Sequence, residues 1–105
     1  MSQPHPLAAR VRELLGARRL RERRMFGGMA FMVDEHLAVS AGNAGDLLVR
    51  VDPEDYQRHL ERGATPASMG RDKTMGRGWM RVPAEAIAAE AELGFWVEVG
   101  VAATR

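Results

Sequence analysis

The feature that most constrains the fold is the apolar run at residues 25–33, which begins at Met25 and is interrupted by Gly27 and Gly28. Both alternating sets of residues in it are apolar, which is typical of a strand covered on both faces. We therefore predict one central strand over this run. A phosphate-binding glycine loop would open a helix, so we interpret the two glycines as a bulge or a close backbone approach.

Further strands are predicted on both sides of the chain's midpoint. Residues 37–41 and 47–51 are apolar and follow turn-forming residues, and their short connections favour an antiparallel meander. A fourth strand begins at Trp79 and ends before Pro83. The long Gly-, Pro- and Ser-rich segment before it predicts a loop with a short strand near residues 67–69.

Capping residues predict the helices. Pro6 suits the first turn of a helix that ends near Gly16. Asp52 can cap a second helix with Pro53 at its first position, and Gly63 closes that helix. His59 falls on this helix, and we expect it on the surface or partly packed. After Pro83, a further helix is predicted over residues 84–91.

The C-terminal segment fits two patterns. Residues 95–101 alternate and are rich in β-branched residues, so local propensity favours a strand. Apolar residues from Leu93 to Thr104 also recur at helical spacing. On that helix Phe95 and Val99 would lie off the main stripe, and we expect them to form an exposed apolar edge.

Length and composition indicate one domain over residues 1–105, with a loose tail at residues 1–5. The chain has no cysteine, which excludes disulfides and thiolate metal sites. The N-terminus lacks the apolar stretch of a signal peptide, and no run is long enough to span a bilayer. We therefore expect a cytoplasmic protein.

Basic residues are the one candidate site with a physical basis. The net charge is only +1, but it is unevenly distributed, with two basic segments. A patch formed from both segments could bind phosphates. A solvated surface is the competing interpretation. The candidate contacts are Arg18, Arg19, Arg21, Arg23, Arg24, Arg71, Lys73 and Arg77.

No pattern predicts catalysis or a bound cofactor. Asp34, Glu35 and His36 are consecutive in a turn, so their side chains point in different directions and a metal site is not expected. Neither His5 nor His59 has an evident serine or aspartate partner for nucleophilic catalysis. We predict a non-enzymatic protein without cofactor or metal.

The chain resembles the TfoX/Sxy N-terminal domain family. The resemblance rests on Arg24-Met25-Phe26-Gly27-Gly28, on the strand end Leu48-Val49-Arg50-Val51-Asp52, on Gly63, and on Arg81-Val82-Pro83. It implies an α+β fold in two layers, with the order α-β-β-β-α-β-β-α and a mainly antiparallel sheet, similar to secretion-chaperone-like domains. It also implies a helical C-terminal segment, and a helix over residues 84–91 that breaks near Gly94 would satisfy both patterns. Trp79 stands where relatives often carry tyrosine.

The resemblance implies a regulatory or interaction domain like the N-terminal domain of competence regulators. The regulators that gave the family its name carry a second, helical domain, and this chain resembles a stand-alone member. The expected partner is another protein or a second copy of the chain. Nucleic-acid binding through the arginine-rich patch is the alternative, and the partner and pathway stay open.

Overall fold

The computed structural model describes residues 6–16, 20–25, 28–42, 45–67 and 76–104. In chain order these form α1 (Pro6–Leu15), β1 (Leu20–Met25), β2 (Gly28–Val33), β3 (His36–Ala41), β4 (Leu47–Arg50), α2 (Tyr56–Arg62), β5 (Thr65–Pro66), β6 (Trp79–Val82) and α3 (Glu90–Ala103). Short 3-10 turns at Pro53–Asp55 and Ala84–Ile87 precede α2 and α3. None of these helices combines the length and apolar character that crossing a membrane requires.

The described strands form one sheet in the order β1-β2-β3-β4-β6-β5, and every neighbouring pair is antiparallel. The predicted α+β class with a mainly antiparallel sheet is therefore confirmed. The predicted order of elements is wrong by one strand, because four strands rather than three lie between α1 and α2. A short strand lies at Thr65–Pro66, and residues 68 and 69 of the predicted loop strand near 67–69 lie outside the described residues.

The apolar run at residues 25–33 is not a single strand. Met25 ends β1 and pairs with Gly28, which begins β2, so a hairpin divides the run. Phe26 and Gly27 lie outside the described residues. The prediction failed because four of the six residues of β1 are charged, and charged residues are typical of an edge strand rather than of a sheet interior. The same run therefore supplies the end of an edge strand and all of its neighbour.

Gly28 is a point of close backbone approach, as the sequence predicted. A Cβ atom at this position would lie 3.0 Å from the carbonyl carbon of Ala41 and 3.0 Å from Cα of Gly42. The irregularity in the ladder between β2 and β3 lies elsewhere. The register between β2 and β3 shifts between Phe31 and Met32 rather than at the glycines. Glycine at position 28 thus lets β2 lie against the end of β3.

One face of the sheet carries α1 and α3. The buried side chains of this face come from four strands, with Phe31 opposite Val39, and Val49 opposite both Val39 and Met80. At Gly100 of α3, an added Cβ would lie 2.6 Å from the carbonyl oxygen of Ala38. This close contact places α3 directly on the face of Val39, and we call it the helix face.

The C-terminal segment is helical, as the resemblance implied and against its local propensity. Its buried residues follow helical spacing: Leu93, Trp96, Val97, Gly100 and Val101. The predicted helix over residues 84–91 and its break near Gly94 are wrong. The chain instead makes the 3-10 turn after Pro83 and changes direction at Ala89, where ψ is 137°. Gly94 lies inside α3.

Asp52 and Pro53 cap the 3-10 turn before α2 rather than α2 itself, and Gly63 ends α2 as predicted. The Asp52 side chain accepts a hydrogen bond from the backbone N–H of Glu54 at 3.0 Å, and Pro53 begins the 3-10 turn. Gly63 ends α2 with a φ of 119°, a left-handed conformation that favours glycine. His59 is an exception, since it is buried rather than at the surface.

Candidate interaction surface

The arginines of β1 lie on two different faces of the sheet. Side chains of paired residues in an antiparallel ladder share a face. Arg24 pairs with Met29, which is two residues from Phe31, so Arg24 lies on the helix face. Arg21 and Arg23 pair with Met32 and Ala30 and lie on the opposite face. Strand alternation therefore separates residues that the sequence analysis grouped into one patch.

The second basic segment does not join the first one in the described part of the chain. Arg77 precedes β6, and its guanidinium carbon lies 4.8 Å from the ring centroid of Tyr56 in α2. Three strands separate β1 from β6, a distance of about 19 Å at the usual spacing between strands. Arg77 therefore lies at the other end of the sheet from the β1 arginines, and a patch formed from both segments stays a prediction. Arg18, Arg19, Arg71 and Lys73 lie outside the described residues.

A different basic surface is formed on the side of the sheet opposite to α1 and α3. None of the described helices packs on it, and we call it the open face. Arg50 and Trp79 pair with each other across β4 and β6, and Arg81 pairs with Leu48. Together with the neighbouring strands, the open face contains Arg21, Arg23, Ala30, Met32, Leu48, Arg50, Trp79 and Arg81.

Arg50 and Arg81 were missed as candidate site residues. They belong to strands that were identified mainly by their apolar residues. The alternation of these strands could have identified them. Val49 and Met80 face the core, so the residues next to them must face outwards. What the sequence could not supply was the sheet order, which places β4 beside β6.

Arg50 is held in a fixed orientation. Its Nε–H donates a hydrogen bond to the backbone carbonyl of Leu37 at 2.6 Å. Its guanidinium carbon lies 4.6 Å from the ring centroid of Trp79, within the range of a cation–π contact. In the described part of the chain, the two Nη groups have no hydrogen-bond acceptor. A planar donor group is thus positioned on the open face with unused hydrogen-bonding capacity.

The other arginines of the open face differ in how they are paired. Arg81 Nε donates to a carboxylate oxygen of Asp46 at 2.8 Å. Arg21 Nη2 lies 3.3 Å from Glu35 Oε1, with both side chains about three-fifths exposed (60% and 61%). Arg23 is exposed, and no carboxylate among the described residues pairs with it. The open face therefore carries four arginines and two partner carboxylates.

On the helix face, the arginine and glutamate of α1 and β1 form a tighter pair. Arg12 donates from Nε and Nη2 to the two carboxylate oxygens of Glu22, both at 2.6 Å. This hydrogen bonding holds the pKa of Glu22 below its ordinary value and raises the pKa of Arg12. The pair ties α1 to the edge strand.

An aromatic cluster joins α2 to α3. The His59 ring lies 5.3 Å from the ring of Trp96 and 6.5 Å from that of Phe95. Burial lowers the pKa of His59. The guanidinium carbon of Arg62 lies 3.6 Å from the centroid of the Phe95 ring. The predicted exposed apolar edge is wrong, because Phe95 and Val99 are partly buried against the core.

A metal site is not assembled from the described residues. They contain no group of three or more His, Asp or Glu side chains placed to hold a metal ion. Asp34 and Glu35 form the turn between β2 and β3 with φ values of 51° and 71°, and His36 begins β3. His59 contacts aromatic rings rather than a nucleophile.

A comparison with protein-family models matches residues 13–104 to the TfoX N-terminal domain. The chain belongs to the TfoX N-terminal domain family. Membership identifies it as a domain of the competence-regulator type, in a family that is regulatory and not known as enzymatic. Neither the curated proteins nor the solved structures gave a match to this chain. The resemblance deduced from the sequence motifs is thereby confirmed.

Proposed function

We propose that this TfoX N-terminal domain is a non-enzymatic regulatory module that binds an acidic protein partner through its open face. The observation that carries the proposal is the composition of that face. Trp79, Met32 and Leu48 are half-buried and lie between arginines. Tryptophan, methionine and arginine are the side chains enriched at protein interfaces, where lysine is depleted.

Charge favours a different protein over a second copy of the chain. Two copies that met through their open faces would oppose arginine to arginine, and such like-charge contacts are unfavourable. A partner with carboxylates around an apolar centre would be complementary. The partial burial of Phe95 and Val99 also weighs against the exposed apolar edge on which self-association was expected. A cytoplasmic location remains part of the proposal.

Nucleic acid is the second candidate, because Trp79 offers one aromatic ring beside arginines on an open sheet. Stacking of bases on aromatic rings and contacts to phosphate are the usual basis of single-strand binding. Two observations weigh against it. Arg21 and Arg81 are already paired with carboxylates, and Trp79 is the one aromatic residue assigned to the open face within the described strands.

Neighbouring residues of β1 supply a matched test. We expect Arg23→Glu, on the open face, to abolish capture of the specific protein partner from lysate of the native cell. Arg24→Glu makes the same charge change one residue away on the helix face and should leave capture intact. Equal loss in both variants would contradict the proposal, and so would capture that is unchanged in both.

Nuclease treatment separates the two candidates in the same experiment. A protein partner retained after nuclease digestion of the lysate supports the proposed function. Loss of capture after digestion, together with binding of an oligonucleotide that weakens steeply with salt, would support nucleic acid instead. Each variant should first show the wild-type unfolding transition, since both positions are exposed and lie on the edge strand.

A further inference from the structure

We propose that Arg50 and Trp79 form a preorganised carboxylate-binding site at the centre of the open face, which recognises an acidic side chain of the partner. The inference rests on the proposed function and adds to it the position and chemistry of the main contact. It starts from the unusual constraint on Arg50, which two separate contacts hold in place.

The first contact is the hydrogen bond from Arg50 Nε to the carbonyl of Leu37. It crosses from β4 to β3, so the side chain lies across the sheet rather than extending into solvent. The second contact is with the Trp79 ring of β6, on the other side of β4. Together they restrict the torsions of a long side chain before any ligand arrives.

This restriction matters because most of the cost of using an exposed arginine is the ordering of its side chain. An arginine that is already ordered loses less conformational entropy when a ligand binds. Of the five N–H groups of a guanidinium, the one on Nε is used by Leu37. The Nη groups, which have no acceptor among the described residues, are available to a carboxylate as paired donors.

The surroundings fit a carboxylate on a protein segment. Arg81 lies diagonally across β4 and β6 from Arg50, two residues after Trp79, and adds positive charge at the distance of a diagonal pair. Its bond to Asp46 leaves it as a weaker anion site than Arg50. The half-buried Leu48 and Trp79 offer apolar contact to the side chains next to an acidic residue. An oxyanion flanked by apolar groups is the matching ligand.

The test uses the whole chain and a blocked peptide that alternates glutamate with leucine, titrated by calorimetry. Arg50→Lys keeps the charge but loses the planar group and its contacts. We expect it to weaken binding by about tenfold, because charge-assisted paired hydrogen bonds are lost. Arg23→Lys is the matched control on the same face, without a fixed contact, and should change binding by less than about twofold.

Further arms identify the source of the oxyanion. Replacing glutamate by glutamine in the peptide should abolish binding. A peptide with phosphoserine in place of glutamate reports whether a phosphoryl group is accepted at the same site. Oligo-dT that binds more tightly than the glutamate peptide, with loss in Arg50→Lys, would reassign the site to nucleic acid and overturn the proposal.

A direct readout on the wild-type chain avoids any dependence on how well a variant folds. The Nε–H of Arg50 is hydrogen-bonded and should give a resolved NMR signal, which we expect to shift as the glutamate peptide is added. Binding without any change in this signal would overturn the inference. If the peptide binds, Arg50→Lys binds normally and Arg23→Glu does not, the inference fails while the proposed function stands. If Arg23→Glu also binds normally, the proposed function fails as well.

Discussion

The two faces of the sheet are built from adjacent residues and serve opposite purposes. On the helix face, Phe31, Val39 and Val49 are fully buried beneath α1 and α3. On the open face, the next residues along the same strands include Met32 and Arg50, which are half-buried. The difference teaches that the core of this domain depends on packing from one side. The other side carries arginines and no described helix lies over it, although its small residues Ala30 and Ser40 are buried.

The largest effect is expected from substitutions at two neighbouring residues of β2, one on each face of the sheet. Phe31→Ala removes a fully buried ring from the helix face and should cost about 3–5 kcal/mol of unfolding free energy. Met32→Ala removes a half-buried side chain from the open face and should cost about 1 kcal/mol. Urea unfolding of both variants measures the two losses. Similar losses would mean that the open face is packed as tightly as the helix face.

A second test addresses the contact between α3 and β3. In Gly100→Ala the new methyl group would meet the Ala38 carbonyl oxygen and Val39 Cγ1, each at 2.6 Å. We expect a net loss of about 1–3 kcal/mol, despite a gain in helix propensity of about 1 kcal/mol. Gly94→Ala is the control within the same helix, since its nearest atom is 3.9 Å away, in Leu14. It should leave stability unchanged or raise it, as thermal unfolding will report.

A smaller effect on stability is expected when the pH changes, and it should come from His59 in the aromatic cluster. Burial is the main cause that lowers the pKa of His59 from 6.5, opposed by Asp55 and assisted by Arg58 and Arg62. The unfolded chain therefore binds a proton at a higher pH than the folded chain does. The contribution of His59 to the free energy of unfolding should therefore be fully present above about pH 6.5. It should be lost as the pH falls below that value.

Two histidine variants isolate this contribution. His59→Phe keeps an aromatic ring in the cluster and should flatten the decline in stability between neutral and mildly acidic pH. His36→Gln changes an exposed residue at the start of β3 and should keep the wild-type slope. An unchanged slope in His59→Phe would assign the pH dependence to other groups.

The smallest expected effect is the difference in coupling energy between two ion pairs, one on each face. The Arg12–Glu22 pair on the helix face has two hydrogen bonds at 2.6 Å, whereas Arg21–Glu35 on the open face has a single contact at 3.3 Å. Double-mutant cycles should give a coupling of about 0.5–1 kcal/mol for the first pair and close to zero for the second. A larger coupling for Arg21–Glu35 would show that the open face is more ordered than its exposure indicates.

Local signals predicted much of the secondary structure. Asp52 and Pro53 marked the start of the 3-10 turn before α2, and Gly63 marked the end of α2, because caps depend on the residues next to the helix terminus. Residues 20–25 were missed as a strand, since arginine has no strong preference for strands and only pairing with β2 makes them one. His59 was misplaced for a related reason, because its burial depends on Phe95 and Trp96, which lie far along the chain.

The candidate site shows the same division. Arginine-rich segments were visible, but the assumption that neighbouring arginines act together failed at Arg23 and Arg24. Alternation of side chains along a strand separates such neighbours onto opposite faces. Arg50 and Arg81 became candidates only when β4 and β6 were found side by side.

The sequence by itself determined the family, the class of fold, the ends of α1, the C-terminal end of α2 and the close approach at Gly28. These depend on short motifs and on residue types with strong local preferences. Only the tertiary structure decided that residues 25–33 are divided between two paired strands, β1 and β2. It also decided which arginines share a face. The physical reason is that pairing register, strand order and burial are set by contacts between distant segments, which no local pattern records.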